Sequence, residues 1–138
     1  MTHNGGMSAF DVVQLVLRIL VALIFVPMGV NHFVPKAARG MAAMIPPALK
    51  QRVSGKTLVR LTGVCEIAGG VGILVPSSLV PGLAFAAGLA LVVFLIAVFP
   101  ANSYAAQDPE RFGRAAIPFW PRFTAQVVLI ALILVAVV

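Results

Sequence analysis

Residues 57–75, TLVRLTGVCEIAGGVGILV, form a run of mostly apolar side chains with Glu66 at its midpoint. A membrane-crossing helix needs about 20 predominantly apolar residues at a rise of ~1.5 Å each, and this run has that length. A carboxylate in the middle of such a span costs about 2.5–3.5 kcal/mol or more to insert. It therefore faces a bundle interior and finds a partner, which makes Glu66 the first candidate for a site. Small residues support this placement. Thr62, Gly63, Glu66, Gly69, Gly70 and Ile73 recur at three- and four-residue spacing and share one helix face. In lipid, small residues mark helix–helix contacts. Leu61, Val64, Ile67, Val71 and Leu74 are left for the lipid face, and Cys65 is read as a small buried apolar residue.

The rest of the chain fits this reading. It has 138 residues, 61% hydrophobic and 10% charged, against about 25% charged in soluble domains, so composition alone points to an integral membrane protein. Three more apolar runs, at about 12–33, 79–99 and 120–138, give an all-α bundle of four transmembrane helices in a single domain. The short Pro76-Ser77-Ser78 link makes the second and third runs an antiparallel hairpin. The first run, preceded by a tail without Lys or Arg, is read as retained rather than as a cleaved signal.

Charge sets the expected topology. The segments 34–56 and 100–119 hold Lys36, Arg39, Lys50, Arg52, Lys56, Arg111 and Arg114, whereas the tail, the short turn and the C-terminal end hold no Lys or Arg. Both long loops are therefore expected on the cytoplasmic side of a bacterial-type inner membrane, with both termini outside. Within the first loop, Lys36 to Met44 is basic on one side and apolar on the other before Pro46-Pro47, which suggests an interfacial helix; a solvated basic loop is the alternative. The net charge of +6 is assigned to topology and to anionic lipid headgroups, not to nucleic acid. A single Cys rules out an internal disulfide and a CxxC site, and no metal-ligand pattern stands out.

Candidate partners for Glu66 come from the other runs. Arg18, Ala22, Phe25, Gly29 and His32 share a side of the first helix, with Arg18 the expected counter-charge and Gln126 at a similar depth on the fourth helix. Asn31, His32, Arg60, Asn102 and Arg122 gather at the cytoplasmic end as a polar vestibule. His32 and Glu66 are expected to lie several turns apart. The ligand-binding candidates are thus Glu66, His32, Asn102, Arg18, Gln126 and Arg60. Plainer roles stand beside these: Arg60 and Arg122 snorkelling to water, Arg18–Glu66 fixing register, His32 and Asn102 satisfying helix-end carbonyls.

The segments Gly29-Val30-Asn31-His32-Phe33-Val34-Pro35, Met44-Ile45-Pro46-Pro47-Ala48-Leu49, Leu61-Thr62-Gly63-Val64-Cys65-Glu66-Ile67-Ala68-Gly69-Gly70 and Phe99-Pro100-Ala101-Asn102 together resemble the DoxX family. That resemblance implies a four-helix membrane protein, distantly related to eukaryotic proteins that bind sterols or chaperone receptors in the endoplasmic reticulum. It also implies an association with quinone-linked redox complexes, the family name coming from a subunit associated with thiosulfate:quinone oxidoreductase.

Three functions follow as expectations. The first is an accessory or binding component of a membrane redox or stress-response complex, holding a lipid-like or quinone-like ligand beside Glu66. The second is a proton-coupled exporter resembling small multidrug transporters, which also use one membrane carboxylate. The third is a quinone-linked oxidoreductase subunit that is inactive alone. No haem, flavin or iron–sulfur motif is present, so a bound quinone or lipid is the only cofactor expected. Partners would be membrane lipids, a membrane or peripheral redox protein, and a second copy through Gly82/Ala86 or the Ala84/Gly88 stripe.

Overall fold

The computed structural model describes residues 5–138, so the first four residues of the N-terminal tail lie outside it. The helices are α1 (Ala9–Asn31), α2 (Pro35–Met44), α3 (Pro47–Lys50), α4 (Gly55–Gly72), α5 (Leu83–Ala106), α6 (Pro109–Phe112) and α7 (Phe119–Val137). A 3-10 turn at Gly113–Ala115 follows α6. Start signals are local. Ser8 caps α1 through Asp11 in a reciprocal capping box, and Ser54 caps α4 by accepting from the Thr57 amide. Pro35 and Pro47 open α2 and α3, where their missing N–H costs nothing, and Pro46-Pro47 keeps those helices apart.

The four long helices form an up-down-up-down ring in which α1 packs on α4, α4 on α5, α5 on α7 and α7 back on α1. Antiparallel register is visible in individual contacts. Gly29 faces Gly63 while Gly70 faces Val26, and Gly69 faces Leu91 while Gly72 faces Ala87. One half of the bundle, around the 73–82 connection, is filled by Val21, Phe25, Ile73, Ala87, Leu91, Ile133 and Ala136. The other half, where α2, α3 and α6 gather, is less densely filled and holds the site described below.

Three segments are long and apolar enough to cross a membrane: Ala9–Asn31, Leu83–Ala106 and Pro109–Val137, the last ending in α7. The exterior matches, with Leu23, Val93 and Leu79 respectively 64%, 65% and 74% exposed, a degree of apolar exposure that water does not tolerate across a whole bundle. The expected fourth span, α4, is 18 residues long and carries Lys56, Arg60 and Glu66, so its composition alone does not mark it as a crossing.

The boundaries differ where turn chemistry overrides hydropathy. The third helix begins at Leu83 rather than Leu79, because Gly82 adopts φ +80°, a left-handed conformation that suits glycine and stops the helix propagating backward. It continues through Pro100 to Ala106, well past the expected end near Phe99. The Lys36–Met44 region is a helix whose inner side packs on α4 and α5.

The expected stripe on α4 is the one buried: Gly63, Glu66, Gly69, Gly70 and Ile73 are buried, and Leu61, Val64, Val71 and Leu74 are exposed. Two residues depart from the reading. Ile67 is partly covered, since its side chain rests against α1 at Gly29. Cys65 is exposed on the outer face, not buried, because it precedes Glu66 by one residue and so turns about 100° away from the packed stripe. Of the small residues on α5, Ala84 and Gly88 are used inside the bundle, Gly88 against Val137, which leaves Ala86 outside.

Candidate functional site

The site begins with the close approach of α1 and α4. A Cβ added at Gly63 would meet His32 Cβ at 2.6 Å and the Gly29 carbonyl oxygen at 3.0 Å; one added at Gly29 would meet the Gly63 carbonyl oxygen at 2.8 Å. Two facing glycines thus let the backbones touch. His32 follows Gly29 by three residues and Glu66 follows Gly63 by three, so the near-contact delivers both side chains to one place. His32 Nε2 lies 2.7 Å from Glu66 Oε2, with side chains only 11% and 8% exposed.

This corrects the expectation that the two stand several turns apart. Glu66 lies at the level of Gly29, one turn from His32. The same register removes Arg18 as counter-charge. It precedes Gly29 by eleven residues, about 16 Å along α1. There, at the other end of the bundle, its Nε donates to the Ala136 carbonyl at 2.7 Å, beside Gln14, which donates to Val135 and Val138. Arg18 therefore ties α1 to the end of α7. Replacing it with Gln is expected to lower stability by roughly 1.5–3 kcal/mol, the worth of a charge-assisted hydrogen bond, without changing ligand retention. Thermal unfolding in detergent alongside lipid extraction checks both.

The hydrogen bonds around His32 define where protons sit. Nδ1 is 2.8 Å from the Val59 carbonyl oxygen, which can only accept, so Nδ1 carries a hydrogen. The Thr62 hydroxyl lies 3.0 Å from Nδ1 and within 3.0 Å of the Leu58 and Val59 carbonyls. It spends its own proton on its helix and turns a lone pair toward the ring. With Nδ1 protonated, a 2.7 Å contact between Nε2 and Oε2 requires one more proton between them. It resides either on the ring facing a carboxylate or on the carboxyl facing a neutral ring. Both arrangements are net neutral, which is how a carboxyl group is accommodated among apolar helices. Apart from His32, Glu66 Oε2 has no polar partner among the described residues.

Glu66 and His32 line a cavity of about 640 Å³ that extends from Phe25, Phe94 and Leu129 toward α2. This is within the ~300–1,000 Å³ range typical of small-molecule sites. Asn102 and Gln126 line the same cavity, as expected, although neither hydrogen-bonds to Glu66. Met41, Met44 and Ile45, on and after α2, form its cover, an adaptable surface because methionine side chains repack easily. Ile24 and Met28 on α1 and Pro121 and Ala125 on α7 line it and are themselves exposed.

Arg60 and Arg18 do not line the cavity. Arg60 is exposed, turned away from the buried stripe of α4; Asn31, grouped with the vestibule, is exposed too. Two charged residues outside the expected binding set join the cavity wall, Arg122 and Arg114. Arg122 was legible as a polar group entering the last helix; Arg114 lies in an irregular turn that no periodicity places. Thr62, assigned to the packing stripe by spacing, also fixes the His32 ring. No group of three or more metal-ligating side chains occurs among the described residues.

A family model described as a domain of unknown function, DUF8561, matches residues 21–137, which include all of the cavity and its polar groups. No curated protein and no solved structure matches the chain.

Proposed function

We propose, for this chain, which belongs to the DUF8561 family, that it is a membrane-embedded binding protein for a lipid-like or quinone-like amphiphile, acting as an accessory component rather than as an enzyme on its own. The observation that carries this reading is a large, mostly apolar cavity with a net-neutral Glu66–His32 pair in its wall. The pair places one hydrogen-bond acceptor, Glu66 Oε1, at a fixed depth in the wall, while the surrounding Phe, Leu and Met side chains accept a chain. Exposed lining residues on α1 and α7 support entry sideways from the bilayer, since the hydrogen bonds joining those helices lie at the opposite end, at Gln14 and Arg18.

In this reading the bundle crosses an inner membrane four times, with α4 as the fourth crossing. Its Lys56 and Arg60 are exposed near the helix start, where they reach the interface, and its one central charge is paired inside the bundle. Basic residues in the 34–56 and 100–119 connections support a cytoplasmic position for that end, and α2 would lie at the interface over the cavity mouth. The cluster of Phe99, Phe119, Trp120 and Phe123, with Trp120 72% exposed, suits an interfacial aromatic belt at the same level. The DoxX resemblance agrees with an accessory role beside a quinone-linked partner. Export of hydrophobic cations is the weaker reading, because the cavity wall carries two arginines and no aromatic cage around Glu66.

The test is lipid extraction from protein purified in mild detergent. Wild type should retain one amphiphile class above its abundance in the bulk membrane, and Leu129→Trp, which fills the cavity, should lose that enrichment. Identical extracts matching bulk lipid would reject the proposal.

A further inference from the structure

The ionisable side chains lining the cavity are Glu66, His32, Arg114 and Arg122. Glu66 and His32 cancel, so the wall carries a net charge of two positive guanidiniums and no free carboxylate. The other acidic residues lie elsewhere: Asp11 caps α1 at the far end, Asp108 caps α6, and Glu110 is exposed. Among the described residues the one ion pair is His32–Glu66, so neither Arg114 nor Arg122 has a carboxylate partner, and neither makes a side-chain hydrogen bond. Arg122 is half-buried, with Pro121, Ala125 and Gln126 beside it on the cavity face of α7. It occupies the first turn of a 19-residue helix whose N-terminus has no side-chain cap, so the helix dipole adds positive potential at the same place. A half-buried guanidinium facing an apolar cavity, left without a counter-ion by its own chain, is a binding element for an anion.

Resting on the amphiphile reading above, we infer that the ligand is a single-chain amphiphile with an anionic head, a long-chain carboxylate or its phosphate equivalent. The head pairs with Arg122, supported by Arg114 at the rim, and the chain lies against Phe25, Phe94 and Leu129 past the Glu66–His32 pair. A neutral quinone would leave both guanidiniums unpaired, and a cationic amphiphile would be repelled by them.

The test compares palmitate with hexadecanol, which has the same chain and a neutral head, by equilibrium binding to the full chain in nanodiscs of neutral phosphatidylcholine. Wild type should prefer palmitate by at least about tenfold, the value of one charge-assisted hydrogen bond. Arg122→Gln should bring the ratio close to one, Arg122→Lys should keep an intermediate preference, and Arg60→Gln, outside the cavity, should leave the ratio unchanged. Acetate should not displace palmitate; displacement would identify a free-anion site in place of an amphiphile site. Equal binding of palmitate and hexadecanol, or a preference insensitive to Arg122→Gln, overturns the head-group assignment while keeping the cavity reading. Failure of both probes to bind overturns the cavity reading and this inference with it.

Discussion

His32→Ala is expected to lower the stability of the bundle by about 3–5 kcal/mol, because it leaves Glu66 buried without a partner. The cost should come from the unpaired carboxyl group more than from the lost imidazole, and further substitutions separate the two. Glu66→Gln keeps a neutral contact, since a carboxamide N–H donates to the unprotonated Nε2, and should cost about 1 kcal/mol or less. The double replacement His32→Ala with Glu66→Leu removes both polar groups and should be more stable than His32→Ala alone. Reversible unfolding in detergent of wild type and these three variants reads the differences. A His32→Ala protein as stable as wild type would mean that water solvates Glu66, and the argument for a dry, proton-sharing pair would fail.

Gly63→Leu should have a comparable effect by a different route. Even a methyl group there would stand 2.6 Å from His32 Cβ and 3.0 Å from the Gly29 carbonyl oxygen, a backbone atom that cannot move without shifting α1. Overpacking of this kind typically costs about 1–3 kcal/mol and more when backbones must separate. Leucine should reach or exceed about 3 kcal/mol. It should also pull His32 away from Glu66, so the variant loses bound amphiphile as well as stability. Gly40→Leu is the matched control: nothing lies within 4 Å of a Cβ at Gly40, and the substitution should be neutral or mildly stabilising through helix propensity. Equal behaviour of the two variants would contradict the packing argument.

Glu66 shows what the sequence could and could not reveal. Its burial was legible, because a three- and four-residue repeat of Gly and Thr around a lone acid has one economical arrangement in a helix bundle. Its partner was not. Pairing with Arg18 assumed a facing register that hydropathy does not encode; the register comes from Gly29 meeting Gly63, a backbone-to-backbone contact with no side-chain signature beyond the glycines themselves. His32 was recognised as polar and on the correct face, yet its depth depended on that same register. Arg60 was grouped with the site because it lies at the same end of the bundle, but it sits about 120° around α4 from Glu66 and faces outward. Asn102 and Gln126 do line the cavity, but Asn102 was read as lying just beyond the third helix, which in fact continues through Pro100, and Gln126 was expected to hydrogen-bond to Glu66, which it does not. Arg114 comes from a turn, where no period links sequence to direction.

The Gly29–Gly63 contact therefore joins fold and site: it closes α1 on α4 and seats the His32–Glu66 pair in the wall of the cavity that Ile24, Met28, Pro121 and Ala125 also line. The most direct test of that account is photolabelling in membranes with palmitate carrying a diazirine in its chain, followed by peptide mapping. Adducts are expected on cavity residues such as Glu66, Phe94 and Leu129, and should be lost when Leu129→Trp fills the cavity. Adducts confined to outward-facing residues such as Leu23 and Val93, unchanged by Leu129→Trp, would contradict it.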